Sequence, residues 1–227
     1  MKKTTIAIHQ PNFLPWLGYI QKMKMADAFI FLDDIQFTKG SYINRVRINT
    51  LQNPKWLTIP VKYRFSRRDT IAKVKIDNAQ FSIQSHLDQI KSSYLETPYF
   101  EEGWDIVRQL YGNYGSLMDF NLNALMKLKE IFSLNCEIYL SSELSVNSIG
   151  SKRLAELVSK VNGSVYLSGD GSEGYVSKND FSEKSIEIKY INYTHPVYPQ
   201  WHGGDFRAGL SVIDAIFNCG VDNLPLF

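Results

Sequence analysis

Apolar residues recur along this chain with two periods, and each period predicts a different element. TTIAIH (4–9) is β-branched and apolar, and AFIFLDD (28–34) is a nearly continuous apolar run that ends in two acids. Continuous runs of this kind suit strands buried on both faces, as in parallel sheets. Between them, behind Pro15, Leu17, Ile20 and Met23 share one helical face. Strand, helix and strand in close succession predict a βαβ unit.

From Gln36 to Asp77 the pattern changes to alternation. SYINRVRI, KWLTIPVKY and TIAKVKID place apolar residues between polar or basic ones, with turn residues separating the segments. That predicts an antiparallel meander inserted into the main domain. Three helical stretches follow, carried by Leu87, Ile90 and Tyr94, by Trp104, Val107 and Tyr111, and by Leu122, Leu125 and Met126. The α/β rhythm then returns. EIYLSSEL reads as a strand, and Ser151 as the N-cap of a helix carrying Leu154, Leu157, Val158 and Val161. SVYLSG and IEIKYINY read as further strands. A last helix bears Leu210, Ile213 and Phe217 and stops at Gly220, with Ser211 and Asp214 as its S-x-x-D capping box. The expectation is a single α/β domain over 1–227. It has a mostly parallel, Rossmann-like central sheet, a β insertion at 36–80 and a helical segment at 81–133.

Composition narrows the function classes. With 44% hydrophobic and 21% charged residues the chain has the profile of a soluble globular protein. A formal charge of +2 gives no broad electrostatic footprint for DNA. A local basic run does occur at Arg64, Arg67 and Arg68, and reads as a solvated hairpin tip. Cys136 and Cys219 form no CxxC pattern, which argues against a structural zinc or a disulfide framework. No apolar stretch is long enough to span a membrane, and the apolar start is too short for a signal peptide, so a cytoplasmic location is expected.

In an open parallel sheet, ligands bind beyond the carboxyl ends of the strands. The predicted strand ends here carry His9 and Gln10, Asp33, Asp34 and Gln36, Ser168 and Gly169, and the region of His195. His9 suits a general base or substrate ligand, and equally a core histidine bonded to backbone. Asp33 and Asp34 point to opposite faces if the strand runs through them, so one serves a given pocket and the other caps a turn. SGDGSEGY (168–175) has the glycines and hydroxyls that let backbone N–H groups approach an anion, without the Walker spacing; a surface turn has the same composition. Arg45 and Arg47, beside Asn44, share one strand face, either as an anion clamp or as an exposed surface. His86 lies on the Leu87/Ile90 side of its helix, where a satisfied buried imidazole is the favoured reading. His195, Tyr198, Gln200 and His202 fall in a Pro- and Gly-broken loop with no metal-ligand spacing.

The blocks HQPNFLPWLGYIQKMKMADAFIFLDDIQF, YINRVRI, WLTIPV, HLDQIKSSYLETPYF, SKRLAELV, YLSGDGSEGY and YPQW…FRAGLSVIDAIFNCG together resemble the WbqC family over nearly the whole chain. The resemblance implies a role near surface polysaccharide (O-antigen) synthesis. There it implies transfer of a small group, glycine being favoured, to an amino sugar. It also implies site residues at His9, Gln10, Asp34, Gln36, Asn44, Arg45, His86, Ser168, Gly169, Tyr198 and Gln200. In a second likeness, strand, P-x-L-G, helix and AD are similar to the opening of HxGH nucleotidyltransferases. Leu17 and Tyr19 stand here near where that histidine pair is expected.

The expected reaction is acyl or aminoacyl (glycyl) transfer to the amine of a nucleotide-linked amino sugar. Attack by an amine needs a base, for which His9 oriented by Asp34 is the first choice, with His86 and His195 in reserve. Arg45 and the Ser168 loop would hold anionic groups, with Gln10, Gln36, Asn44, Gly169, Tyr198 and Gln200 completing the substrate contacts. No metal is expected, the cofactor is undefined, and an aminoacyl-tRNA is one candidate donor. Nucleotidyl transfer or ATP-dependent activation, and non-catalytic binding of a sugar nucleotide or carrier, are the alternatives.

Overall fold

The first strand is shorter than its apolar run and stops where its side chains turn polar. The computed structural model describes residues 3–62, 68–172, 174 and 176–224. Strand β1 (Thr5–His9) pairs in parallel with β2 (Ala28–Phe31) on one side. On its other side it pairs, again in parallel, with β8 (Val165–Ser168). Strands β7 (Glu137–Leu140) and β9 (Glu187–Tyr190) complete a five-stranded parallel sheet of order β7-β2-β1-β8-β9. Helix α1 (Leu17–Met25) links β1 to β2, and α5 (Gly150–Lys160) lies between β7 and β8 in the chain. This is the α/β class expected from the pattern.

The chain divides into two compact units. One holds residues 1–10, 21–34 and 134–194, and the other 11–20, 35–133 and 195–227. The predicted insertion at 36–80 and the helical segment at 81–133 belong to the second.

In the first unit both faces of the three inner strands β2, β1 and β8 are buried, which explains their uninterrupted apolar runs. Ile6, Ile8, Ala28, Ile30 and Tyr166 pack with Leu157 and Val158 of α5 and with Phe181 of the short helix α6 (Lys178–Ser182). Tyr166 stacks on Phe181 with ring centroids 4.9 Å apart. Ala7, Phe29, Phe31 and Leu167, one residue out of phase, are buried too.

In the second unit the alternating segments form two separate ladders rather than one meander. Strand β3 (Arg45–Ile48) pairs antiparallel with β4 (Lys55–Thr58), and β5 (Val61–Lys62) with β6 (Lys75–Ile76). Pro60, which lacks an N–H, stands between β4 and β5. The three predicted helices are present as α2 (Ile83–Tyr94), α3 (Phe100–Leu110) and α4 (Leu117–Ile131). The last, α7 (Val212–Cys219), ends at Gly220, whose φ of 72° and ψ of 166° only glycine adopts readily. Phe217 stacks on Tyr94 at 4.5 Å.

Two expected helix starts and one expected capping box differ. Helix α1 begins at Leu17 rather than Pro15, because Trp16 makes a one-residue antiparallel bridge to Ser211. Ile149, not Ser151, is the N-cap of α5; the Ser151 hydroxyl instead accepts the Ser177 N–H at 2.8 Å. Ser211 does cap α7, but the Asp214 carboxylate takes no part in a capping box. Arg64 and Arg67 of the basic run, and Glu173 and Tyr175 of the glycine-rich loop, lie outside the described residues.

Candidate functional site

Strand order fixes where an open parallel sheet binds ligands. From β1 the chain moves to β2 on one side, and β8 returns on the other, so the topological switch point lies between β1 and β8. The β1–β8 ladder stops at Ala7 and Leu167. Beyond it lie His9 and Gln10 from β1, and Ser168, Gly169 and Asp170 from β8. Four of these, His9, Gln10, Ser168 and Gly169, were predicted from the strand ends.

His9 contacts the carbonyl oxygen of Gln10 through Nδ1 at 3.0 Å. A carbonyl only accepts, so Nδ1 carries the proton and the acceptor lone pair of the neutral ring lies on Nε2. Burial first, and the nearby Lys22 ammonium second, push the imidazole down to about 4, against the raising effect of Gln10. His9 is therefore neutral at physiological pH.

Lys22, which the sequence reading missed, is 5% exposed and donates to the Ile8 carbonyl at 2.9 Å. Burial lowers it to about 8, opposed by the charge of Asp170. Its position held a signal: it stands three residues after Tyr19, which is buried, on the inward stripe of α1. Asp170 also went unnoticed. Its carboxylate accepts the N–H groups of Asn192 at 2.8 Å and Tyr193 at 2.9 Å, tying the loop after β8 to the end of β9.

The acids lie beyond the end of β2 at Phe31, so strand alternation does not set their directions, and both approach the Ser141 hydroxyl. Asp33, 3% exposed, caps the turn that follows β7. It accepts from the Ser142 N–H at 3.0 Å, the Ser142 hydroxyl at 2.7 Å and the Ser141 hydroxyl at 3.1 Å. Asp34 takes Arg153 Nη2 on Oδ2 at 2.5 Å and the Ser141 hydroxyl on Oδ1 at 2.5 Å. Both of its oxygens are engaged there, so the expected orientation of His9 by Asp34 is not what is found. The Gln10 carbonyl holds Nδ1 instead.

The remaining predicted residues belong to the second unit. His86 sits among Phe13, Phe81 and Tyr111. Its Nε2 faces the Thr58 carbonyl at 3.1 Å, and its Nδ1 accepts from the Tyr111 hydroxyl at 3.2 Å. Both nitrogens are thus satisfied and burial lowers its pKa, the environment expected of a satisfied buried imidazole. Asn44 braces a turn, donating to the Ile59 carbonyl and accepting the Gly40 N–H. Arg45 lies 4.1 Å over the Trp56 ring. Gln36 is exposed and bridges to Thr70. His195 packs against Tyr198 and Phe206. Tyr198 and Gln200 both donate to Asp214, at 2.7 Å and 3.1 Å, and Tyr94 adds a third donor at 3.0 Å. Asp214 is wholly buried, and its role as hub of this network was hidden behind the apparent capping box.

Among the described residues no group of three or more His, Cys, Asp or Glu could hold a metal ion. Nor is any described helix long and apolar enough to cross a membrane.

The model of the WbqC-like protein family matches residues 10–225. The chain belongs to the WbqC-like protein family. An uncharacterized protein of Mycobacterium tuberculosis, Rv1507c, is 29% identical over 225 residues, covering 98% of this chain and 96% of that protein. No solved structure gives a significant match. The family match takes in Lys22, Asp34, Arg153 and the Ser168–Asp170 edge, and begins one residue after His9.

Proposed function

We propose that this WbqC-like protein is a transferase of surface polysaccharide (O-antigen) biosynthesis. It attaches an acyl or aminoacyl group, with glycyl favoured, to the amine of a nucleotide-linked amino sugar. The reaction class and the glycyl group come from the resemblance to the family. The observation that carries an enzymatic reading is the state of His9: a neutral imidazole at the switch-point edge, with its proton fixed on Nδ1 and its lone pair on Nε2. The sugar amine attacks the activated acyl carbon, the new N–C bond forms, and His9 Nε2 takes the proton released from nitrogen. The bond from carbon to the donor's leaving group then breaks, and the proton passes to that group. His9 is uncharged at neutral pH and so can accept a proton there, and the ammonium of the zwitterionic tetrahedral adduct gives up its proton more readily than a free ammonium.

Mass spectrometry tests this directly. Amino-sugar nucleotides are incubated with the protein and, in turn, with glycyl-tRNA, with glycine and ATP, and with a coenzyme A thioester. The expected result is a product heavier by one glycyl or acyl group with one of these donors, lost in His9→Ala while circular dichroism stays unchanged. Modification by none of the donors would overturn the reading. Full turnover by His9→Ala would remove His9 as the base.

A further inference from the structure

The Lys22 ammonium carries three N–H donors, and among the described residues only the Ile8 carbonyl accepts from it. The side chain is 5% exposed. Buried donors are almost always partnered, and each one left open costs free energy. Ile8 is the first residue of β1 beyond the end of its ladder with β8, so the open donors lie at the switch point. Among the described residues, the titratable and charged groups facing Lys22 are His9 from β1 and Asp170 from the loop after β8. His9 is uncharged. Asp170 is engaged by two backbone N–H groups and reaches Lys22 only through space. Among the described residues this buried cation therefore has two donors without an acceptor and no contacting counter-charge. In the loop after β8 there is room for a side chain at Gly169 and Gly171, since a Cβ built on either would meet nothing within 4 Å.

We propose that Lys22 anchors an oxyanion site at the β1–β8 edge, taking a phosphoryl or carboxylate group of a ligand on its open N–H donors. The site does not depend on the transfer reaction. It would serve a nucleoside diphosphate or an amino-acid carboxylate equally well.

Isothermal titration of the full chain with inorganic phosphate, UDP and glycine, each at pH 7 and pH 9, tests the site and separates phosphoryl from carboxylate ligands. Lys22 must be charged to bind, and with a group titrating near 8 affinity should fall about tenfold between the two pH values. Phosphate itself gains negative charge over that range, so a fall reports on the protein. Lys22→Met should abolish binding and Lys22→Arg should retain part of it. Binding of none of the three probes, affinity unchanged by pH, or undiminished binding to a folded Lys22→Met would overturn the proposal. Should Lys22→Met fail to fold, the wild type decides through the ε-CH2 NMR titration of Lys22. A saturating probe must raise its midpoint, and an unmoved midpoint overturns the site.

Discussion

The Tyr198 hydroxyl donates to Asp214 at 2.7 Å, joining the loop before α7 to a carboxylate that is wholly buried within the helix. Tyr94 and Gln200 donate to the same group, and burial still holds its pKa above the usual carboxylate range. Asp214→Ala strands three donors. It should cost about 3 kcal/mol in urea denaturation, against about 1 kcal/mol for Tyr198→Phe, which removes one bond of the set. Equal losses in the two variants would mean that Asp214 is not the hub.

His9 makes stability depend on pH. Its folded value of about 4 lies below the ordinary 6.5, so between these values the unfolded chain binds the extra proton. Stability should be complete above pH 6.5 and decline as pH falls toward 4, by about 2–3 kcal/mol from this group. His9→Gln should flatten that part of a stability–pH profile. Lys22→Met, by removing the neighbouring charge, should move the His9 NMR titration upward.

Arg153 reaches Asp34 with 15% and 28% of the two side chains exposed, and also donates to the Val146 carbonyl at 2.9 Å. Arg153→Met should lower stability by about 1–3 kcal/mol, since it leaves a half-buried carboxylate without its counter-charge. A double-mutant cycle with Asp34→Asn should return a coupling of about 1 kcal/mol or more. Additive losses would show the pair to be uncoupled.

His86 separates packing from chemistry. His86→Ala should reduce stability by about 2 kcal/mol through the cavity it opens among aromatic rings. The turnover or ligand affinity of the remaining folded protein should be preserved. A large loss of turnover at unchanged stability would restore His86 to the reaction.

Gly220 closes α7 with a φ of 72°, and a Cβ there would stand 2.7 Å from the Tyr99 ring. Gly220→Ala should therefore lower the thermal midpoint, corresponding to at least about 1 kcal/mol. An unchanged midpoint would show that the turn relaxes without cost.

What the sequence by itself determined is the parallel sheet and its polar edge. Two-faced burial forces the unbroken apolar runs of β1 and β2, and the strands beside the switch point end in polar residues such as His9, Gln10 and Ser168. The helix-by-helix order was legible for the same reason, since burial of one face imposes its period directly on neighbouring residues. Tertiary structure alone decided which polar groups meet. Lys22 is hidden in an ordinary amphipathic helix until the fold sets it over the Ile8 carbonyl, and Asp34 is claimed by Arg153, 119 positions away in the chain. Asp214 passes for a cap until Tyr94 and Tyr198 are folded onto it. Hydrogen bonds and charge pairing act through space at a few ångströms and leave no period in the chain, so spacing could suggest the edge but not its partners.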